Sequence, residues 1–172
     1  MQCQKAVSAQ LPKGFRVIDV TNRCIVQKEQ CDFVALSYVW GADTTMITYK
    51  DNIGERRCHS SLSKSRMPQT LEDAIQVCQH LQEQYLWIDR LCIIQDDSVD
   101  KARQIKSMDA IYSAARFVIM NTHGDGASYG IPGVSRSRHV MQSSVQLPGM
   151  TVTNQVRETG NDSLDTWTTR GW

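Results

Sequence analysis

Three short apolar runs, 33–39, 85–88 and 116–121, are rich in β-branched and aromatic residues and are separated by segments of helical period. That alternation constrains the chain more than any other feature. The middle run, Tyr85-Leu-Trp-Ile88, reads as a buried strand and stops at Asp89, a charge costly to bury unpaired. A second apolar burst, Leu91–Ile94, then leads into Gln95-Asp96-Asp97. Parallel strands joined by right-handed helical crossovers are the preferred solution for such an order. The expectation is an α/β fold with a mostly parallel sheet and flanking helices. It puts Asp89 at the carboxyl end of a central strand, where open α/β sheets bind ligands.

The helices carry their own signals. Pro68-Gln-Thr70 opens one, with Thr70 as N-cap, Asp73 in a shortened capping box, and Glu72 and Asp73 suited to the positive helix end. Leu71, Ala74, Ile75, Cys78 and Leu81 mark its face on the sheet. Asp97 or Ser98 caps a second helix running to about Ala115, with Ala102, Ile105, Met108, Ile111, Tyr112 and Ala115 as its buried stripe.

Around this core, 15–20 and 24–26 read as an N-terminal hairpin at the sheet border, with Asn22 as the left-handed turn residue. Residues 42–67 form a long inserted loop, with a small extra strand expected at Met46–Tyr49. Tyr129–Gly133 is a turn, 134–148 lacks periodicity, and 150–156 alternates weakly as a strand would.

Of 172 residues, 41% are hydrophobic and 22% charged, and the formal net charge is +1. These values suit one globular domain and disfavour disorder or a nucleic-acid-binding charge excess. No apolar run approaches the roughly 20 residues that span a bilayer, and no signal peptide opens the chain, so a cytoplasmic protein is expected. The six cysteines lack Cys-x-x-Cys or Cys/His finger spacing. They read as reduced thiols, and no metal site is expected.

The predicted topology gathers the ends of the three strands along one rim. Ser37, Tyr38, Trp40 and Gly41 come from the first strand, Asp89 and Arg90 from the second, and the loop with His123 from the third. Asp96 and Asp97 lie just beyond. Asp89 serves there either as a reactive carboxylate or as a loop cap paired with Arg90. Trp40 taken alone reads first as a packing aromatic.

These residues carry a family resemblance. Ala35-Leu-Ser-Tyr-Val-Trp-Gly41, Leu86-Trp-Ile-Asp-Arg-Leu-Cys-Ile-Ile-Gln-Asp-Asp97, Met108-Asp-Ala-Ile-Tyr112 and Trp167-Thr-Thr-Arg-Gly-Trp172 resemble the four blocks of the fungal heterokaryon-incompatibility (HET) domain, with Gly130-Ile-Pro-Gly133 between the last two. The resemblance covers roughly 15–172, and ordered motifs are far more specific than one short pattern. It implies a non-self recognition module that triggers programmed cell death, working with other domains of an incompatibility or sensor system and capable of self-association. It also implies a distant similarity to Toll/interleukin-receptor-like (TIR-like) domains of flavodoxin-like topology, some of which cleave NAD. The family's last block continues into a glutamine and a glutamate that this chain does not reach, so a single domain, incomplete at its C-terminus, is expected.

Two functions follow. The first is the signalling module. The second is a nucleotide hydrolase that takes NAD as substrate rather than cofactor, with Asp89 as the carboxylate stabilising a developing oxocarbenium ion. Glu72 and Glu83 are expected to face solvent, and capping accounts for one of Asp96 and Asp97. No Gly-x-Ser-x-Gly elbow, phosphate loop or dinucleotide fingerprint is present.

Overall fold

The strand-forming runs assemble into one five-stranded sheet in the order β2-β1-β4-β3-β5. The structure is a computed structural model that describes residues 10–137 and 144–153. Its strands are β1 (Arg16–Asp19), β2 (Cys24–Gln27), β3 (Val34–Ser37), β4 (Tyr85–Trp87) and β5 (Val118–Met120), followed by the separate hairpin β6 (Ser144–Leu147) and β7 (Met150–Thr153). The helices are α1 (Ile53–Arg56), α2 (Gln69–His80), α3 (Asp89–Cys92), α4 (Ser98–Lys106) and α5 (Met108–Ala114).

β3 runs parallel to both β4 and β5, whereas β1 is antiparallel to β2 and to β4. The sheet is therefore mixed, not mostly parallel. The tight 21–23 turn forces β1 and β2 antiparallel, and Ile18 pairs with Leu86, which carries the hairpin into the main sheet. Arg23, not Asn22, takes the left-handed backbone, with φ 49°. The Asn22 N–H and side-chain amide are committed to the Asp19 carboxylate at 2.8 and 3.0 Å.

Phe15, Ile18, Phe33, Leu36, Leu86, Trp87 and Ile88 form the core with Leu71 and Ile75 of α2. Phe15 and Phe33 meet at 5.1 Å between ring centres, and Trp87 meets Tyr112 edge-on at 5.4 Å.

Several helix expectations change. α2 begins at Gln69 with Pro68 as its N-cap, so Thr70 lies inside the first turn. Leu81 follows the helix and is exposed. Glu72 is buried, because Arg23 reaches it at 2.5 Å from the hairpin turn. Glu83 is partly covered and pairs with Arg116 at 3.2 Å. The helix expected from 98 to 115 breaks at Ser107 into α4 and α5. On α4 the inward residues are Asp100 and Gln104, while Ile105 is 49% exposed. The face is polar because Arg16 and the Lys13 carbonyl lie opposite it: Arg16 pairs with Asp100, and Gln104 donates to Lys13 O at 3.3 Å.

The long loop forms no strand at Met46–Tyr49. Met46 has φ 54°, and Thr48 instead bonds the chain after β4: its N–H reaches Arg90 O at 3.2 Å and its hydroxyl Leu91 O at 2.7 Å. β7 falls within the alternating 150–156 segment, and its partner β6 lies in a stretch expected to be irregular. Residues 154–156 and the 167–172 block lie outside the described residues. The described cysteines are unpaired, with Cys24, Cys78 and Cys92 buried and Cys58 exposed.

Candidate functional site

Asp89 lies two residues past β4 and opens α3, and the buried Ile88 between them keeps extended backbone angles. Its Oδ1 accepts from the Arg90 N–H at 2.7 Å. The Trp40 indole N–H lies 3.0 and 2.9 Å from the two carboxylate oxygens. Trp40 stands three residues past β3, so this contact ties the ends of two adjacent parallel strands together. Both side chains are half-buried. The indole donates to the carboxylate, which is how a partly buried tryptophan ordinarily satisfies its one polar atom.

Arg90 takes a different place from the one expected of a ligand-binding residue. It is fully buried and turns inward to the backbone of the loop after β3. Its Nη2 donates to the carbonyls of Asp43 and, at 3.4 Å, Trp40, and its Nη1 donates to the Thr45 carbonyl at 3.4 Å. The Asp43 carboxylate lies 3.7 Å away, and the Trp40 ring centre 5.0 Å away. A rigid guanidinium fork suits this several-acceptor role. Arg90 thus sets the loop, and through it Trp40.

The loop after β5 closes on the same segment. Gly41 has φ 65°, and a Cβ there would sit 2.6 Å from the Asp125 carbonyl and from Gly126 Cα. Ala127 N–H donates to Trp40 O at 3.1 Å, and the Ser128 hydroxyl donates to Asp43 at 2.7 Å. Burial opposes ionisation of Asp43, but hydrogen bonds from Thr45 and Ser128 and the Arg90 charge outweigh it and hold the carboxyl below its usual range. Asp43 and Ser128 were not singled out from sequence. The Asp43-Thr-Thr45 pattern, in which the side chain caps its own turn at 2.7 Å, was the available signal.

The remaining expected site residues fall in three groups. Ser37 and Tyr38 are buried at the end of β3. Burial and the nearby Asp89 charge push the Tyr38 phenol up, so it is neutral at physiological pH. His123 is exposed on the loop after β5, beside Thr122. Asp96 accepts from Lys50 N–H at 2.9 Å, and Asp97 caps α4 through the N–H groups of Val99 and Asp100, both at 3.0 Å. Those bonds lower the Asp97 pKa. Asp96 and Asp97 therefore brace the inserted loop and a helix rather than the Trp40–Asp89 pair.

A second bracket holds the 130–135 turn against α2. Thr70 Oγ1 accepts from Gly130 N–H at 3.0 Å, and the buried Asp73 carboxylate accepts from Ile131 N–H at 2.6 Å and the Ser135 hydroxyl at 2.5 Å. Thr70 and Asp73 thus serve the loop instead of a capping box. The Tyr112 hydroxyl donates to Leu36 O at 3.3 Å. Among the described residues, no three His, Cys, Asp or Glu side chains gather as a metal site, and no helix is long and apolar enough to cross a membrane.

Among the described residues, the first block is thus bonded to the second through Trp40 and Asp89, and to the third through Tyr112 and Leu36. The profile of the family "Heterokaryon incompatibility protein (HET)" matches residues 33–172. The chain belongs to the HET family. This HET chain is also 33% identical over 100 residues to Heterokaryon incompatibility protein 6, OR allele, of Neurospora crassa. That alignment covers 51% of this chain and 14% of the Neurospora protein, so the chain spans only a small part of its relative. No solved structure matches the HET chain.

Proposed function

We propose that this HET domain is a signalling module of heterokaryon incompatibility in the fungal cytoplasm, whose output is programmed death of the cell. In this reading it acts with other domains of a longer protein or sensor system, not with nucleic acid or a membrane. The observation that carries it is the bracing of the described family blocks, by one another and by α2. Arg90 holds the Trp40 loop, Trp40 holds Asp89, and α2 holds the Gly130–Gly133 turn. Such bracing suits a rim presented with fixed shape to a partner, because a pre-ordered surface loses little entropy on binding.

A second reading, NAD cleavage, draws support from the position of Asp89. It is a half-exposed carboxylate at the carboxyl end of β4, and the parallel order β4-β3-β5 matches the first three strands of a flavodoxin-like sheet. In a TIR-like arrangement that edge receives the ligand, and Asp89 would stabilise charge developing on the ribose. Trp40, Tyr38 and Ser37 would then line the site.

The experiment is to express the full-length protein in a fungal host, score death and follow cellular NAD. Death with NAD unchanged fits the signalling module, death preceded by NAD loss fits the hydrolase, and no death under any activating partner contradicts both.

A further inference from the structure

The two borders of the sheet differ in chemistry. At one, β2 runs out into Gln27-Lys28-Glu29, and the inserted loop bonds its start, with Ser60 N–H 2.8 Å from Asn22 O and Leu62 N–H 3.0 Å from Arg23 O. At the other, β5 is the uncharged run Val118-Ile119-Met120, free of proline. Met120 is 57% exposed.

The phase of the β3–β5 ladder fixes which β5 groups face away from β3. Ala35 N–H donates to Phe117 O at 3.2 Å and Asn121 N–H to Ser37 O at 2.8 Å, in the register Ala35↔Val118 and Ser37↔Met120. Backbone groups of alternate residues point to opposite sides of a strand, so those of Val118 and Met120 point away from β3. Among the described residues no strand lies on that side. An apolar edge with unpaired N–H and C=O groups is a template for another strand.

We propose that β5 is a self-pairing edge, through which two copies of this chain join in antiparallel fashion about a twofold axis at Ile119. The register is self-complementary. Val118 of one copy falls opposite Met120 of the other, and the outward groups of each such pair exchange both hydrogen bonds. Ile119 meets its own counterpart on the opposite face at the close spacing of a non-hydrogen-bonded pair. Arg116 comes opposite Thr122, so no like charges face each other. A net charge of +1 per copy gives little long-range repulsion. The sheet would then continue unbroken through both copies.

The test is sedimentation velocity of the 172-residue chain over a wide concentration range, with hydrogen exchange read at Val118 and Met120. The expected result is a reversible dimer whose formation slows exchange at both amides. Met120→Lys removes an apolar contact and sets two ammonium groups diagonally across the pair, so the dimer dissociation constant should rise at least about tenfold with circular dichroism unchanged. A chain that stays monomeric with fast exchange at both amides would overturn the proposal. So would a monomer with both amides protected, since another part of the same chain would then cover the edge. A dimer indifferent to Met120→Lys would overturn it too.

Discussion

Arg16 and Arg90 are both buried, and the chain neutralises them by different means. Arg16, on β1, pairs with the buried Asp100 of α4 and donates to Cys92 O at 2.8 Å. Arg90, at the rim, answers mainly to backbone carbonyls of one loop, with Asp43 more distant at 3.7 Å. The first arrangement fastens one element to another. The second shapes a loop, and that loop carries Trp40 to Asp89. A buried ion pair leaves a costly orphan when one partner is removed. A cation held by carbonyls fixes geometry, and its loss is felt first where the geometry is used.

The largest expected effect is therefore at the first arginine. Asp100→Ala strands the Arg16 guanidinium in the core and should cost about 3–5 kcal/mol by chemical denaturation. The double variant Arg16→Met/Asp100→Leu should recover most of that loss. A double variant as unstable as Asp100→Ala would mean that packing, not the orphaned charge, sets the cost.

Arg90→Lys comes next. The ammonium group cannot reach the same set of carbonyls, and a loss of roughly 2–3 kcal/mol is expected. The local signature matters more: Trp40 fluorescence and hydrogen exchange in the 40–45 loop should change more than at Asp100. Uniform loosening of the whole chain would erase the contrast between the two arginines.

The smallest effect concerns acid. The folded Asp43 carboxyl sits below its unfolded value, because bonds from Thr45, Ser128 and Arg90 outweigh the opposing effect of burial. Its contribution to stability is thus complete above about pH 4, the unfolded value, and is lost as pH falls through the lower folded value. Asp19 and Asp97 are also lowered and act in the same window. Asp43→Asn should make the fall of the thermal midpoint in that window shallower than in wild type. An unchanged slope would detach Asp43 from the bracket.

The local parts of this architecture were legible in the sequence. The three apolar runs became β3, β4 and β5, with β3 in parallel register with each of the other two, and Leu86, Ile88 and Ile111 entered the core. Asp89 and Trp40 came together at one rim. What could not be read was fixed by distant partners. Glu72 looks like a solvent-facing residue of a helix's first turn until Arg23 arrives from the hairpin. Asp100 and Gln104 turn inward, displacing Ile105, because Arg16 and Lys13 wait across α4. Helical period records which residues share a face, not which face meets a buried cation. Arg90 was legible as a neighbour of Asp89 at the strand ends but not in its role, since nothing local distinguishes an arginine that reaches a ligand from one that grips its own loop.

In the proposed reading the Trp40–Asp89 contact is the working part of the rim, and folding does not depend on its charge. Asp89→Asn keeps the size and an oxygen acceptor for the indole N–H while removing the charge. Installed in the full-length protein, it should fold with a thermal midpoint close to wild type and fail to kill the host cell. If NAD is consumed by the wild type, that consumption should vanish as well. An Asp89→Asn protein that folds and still kills normally would contradict the claim.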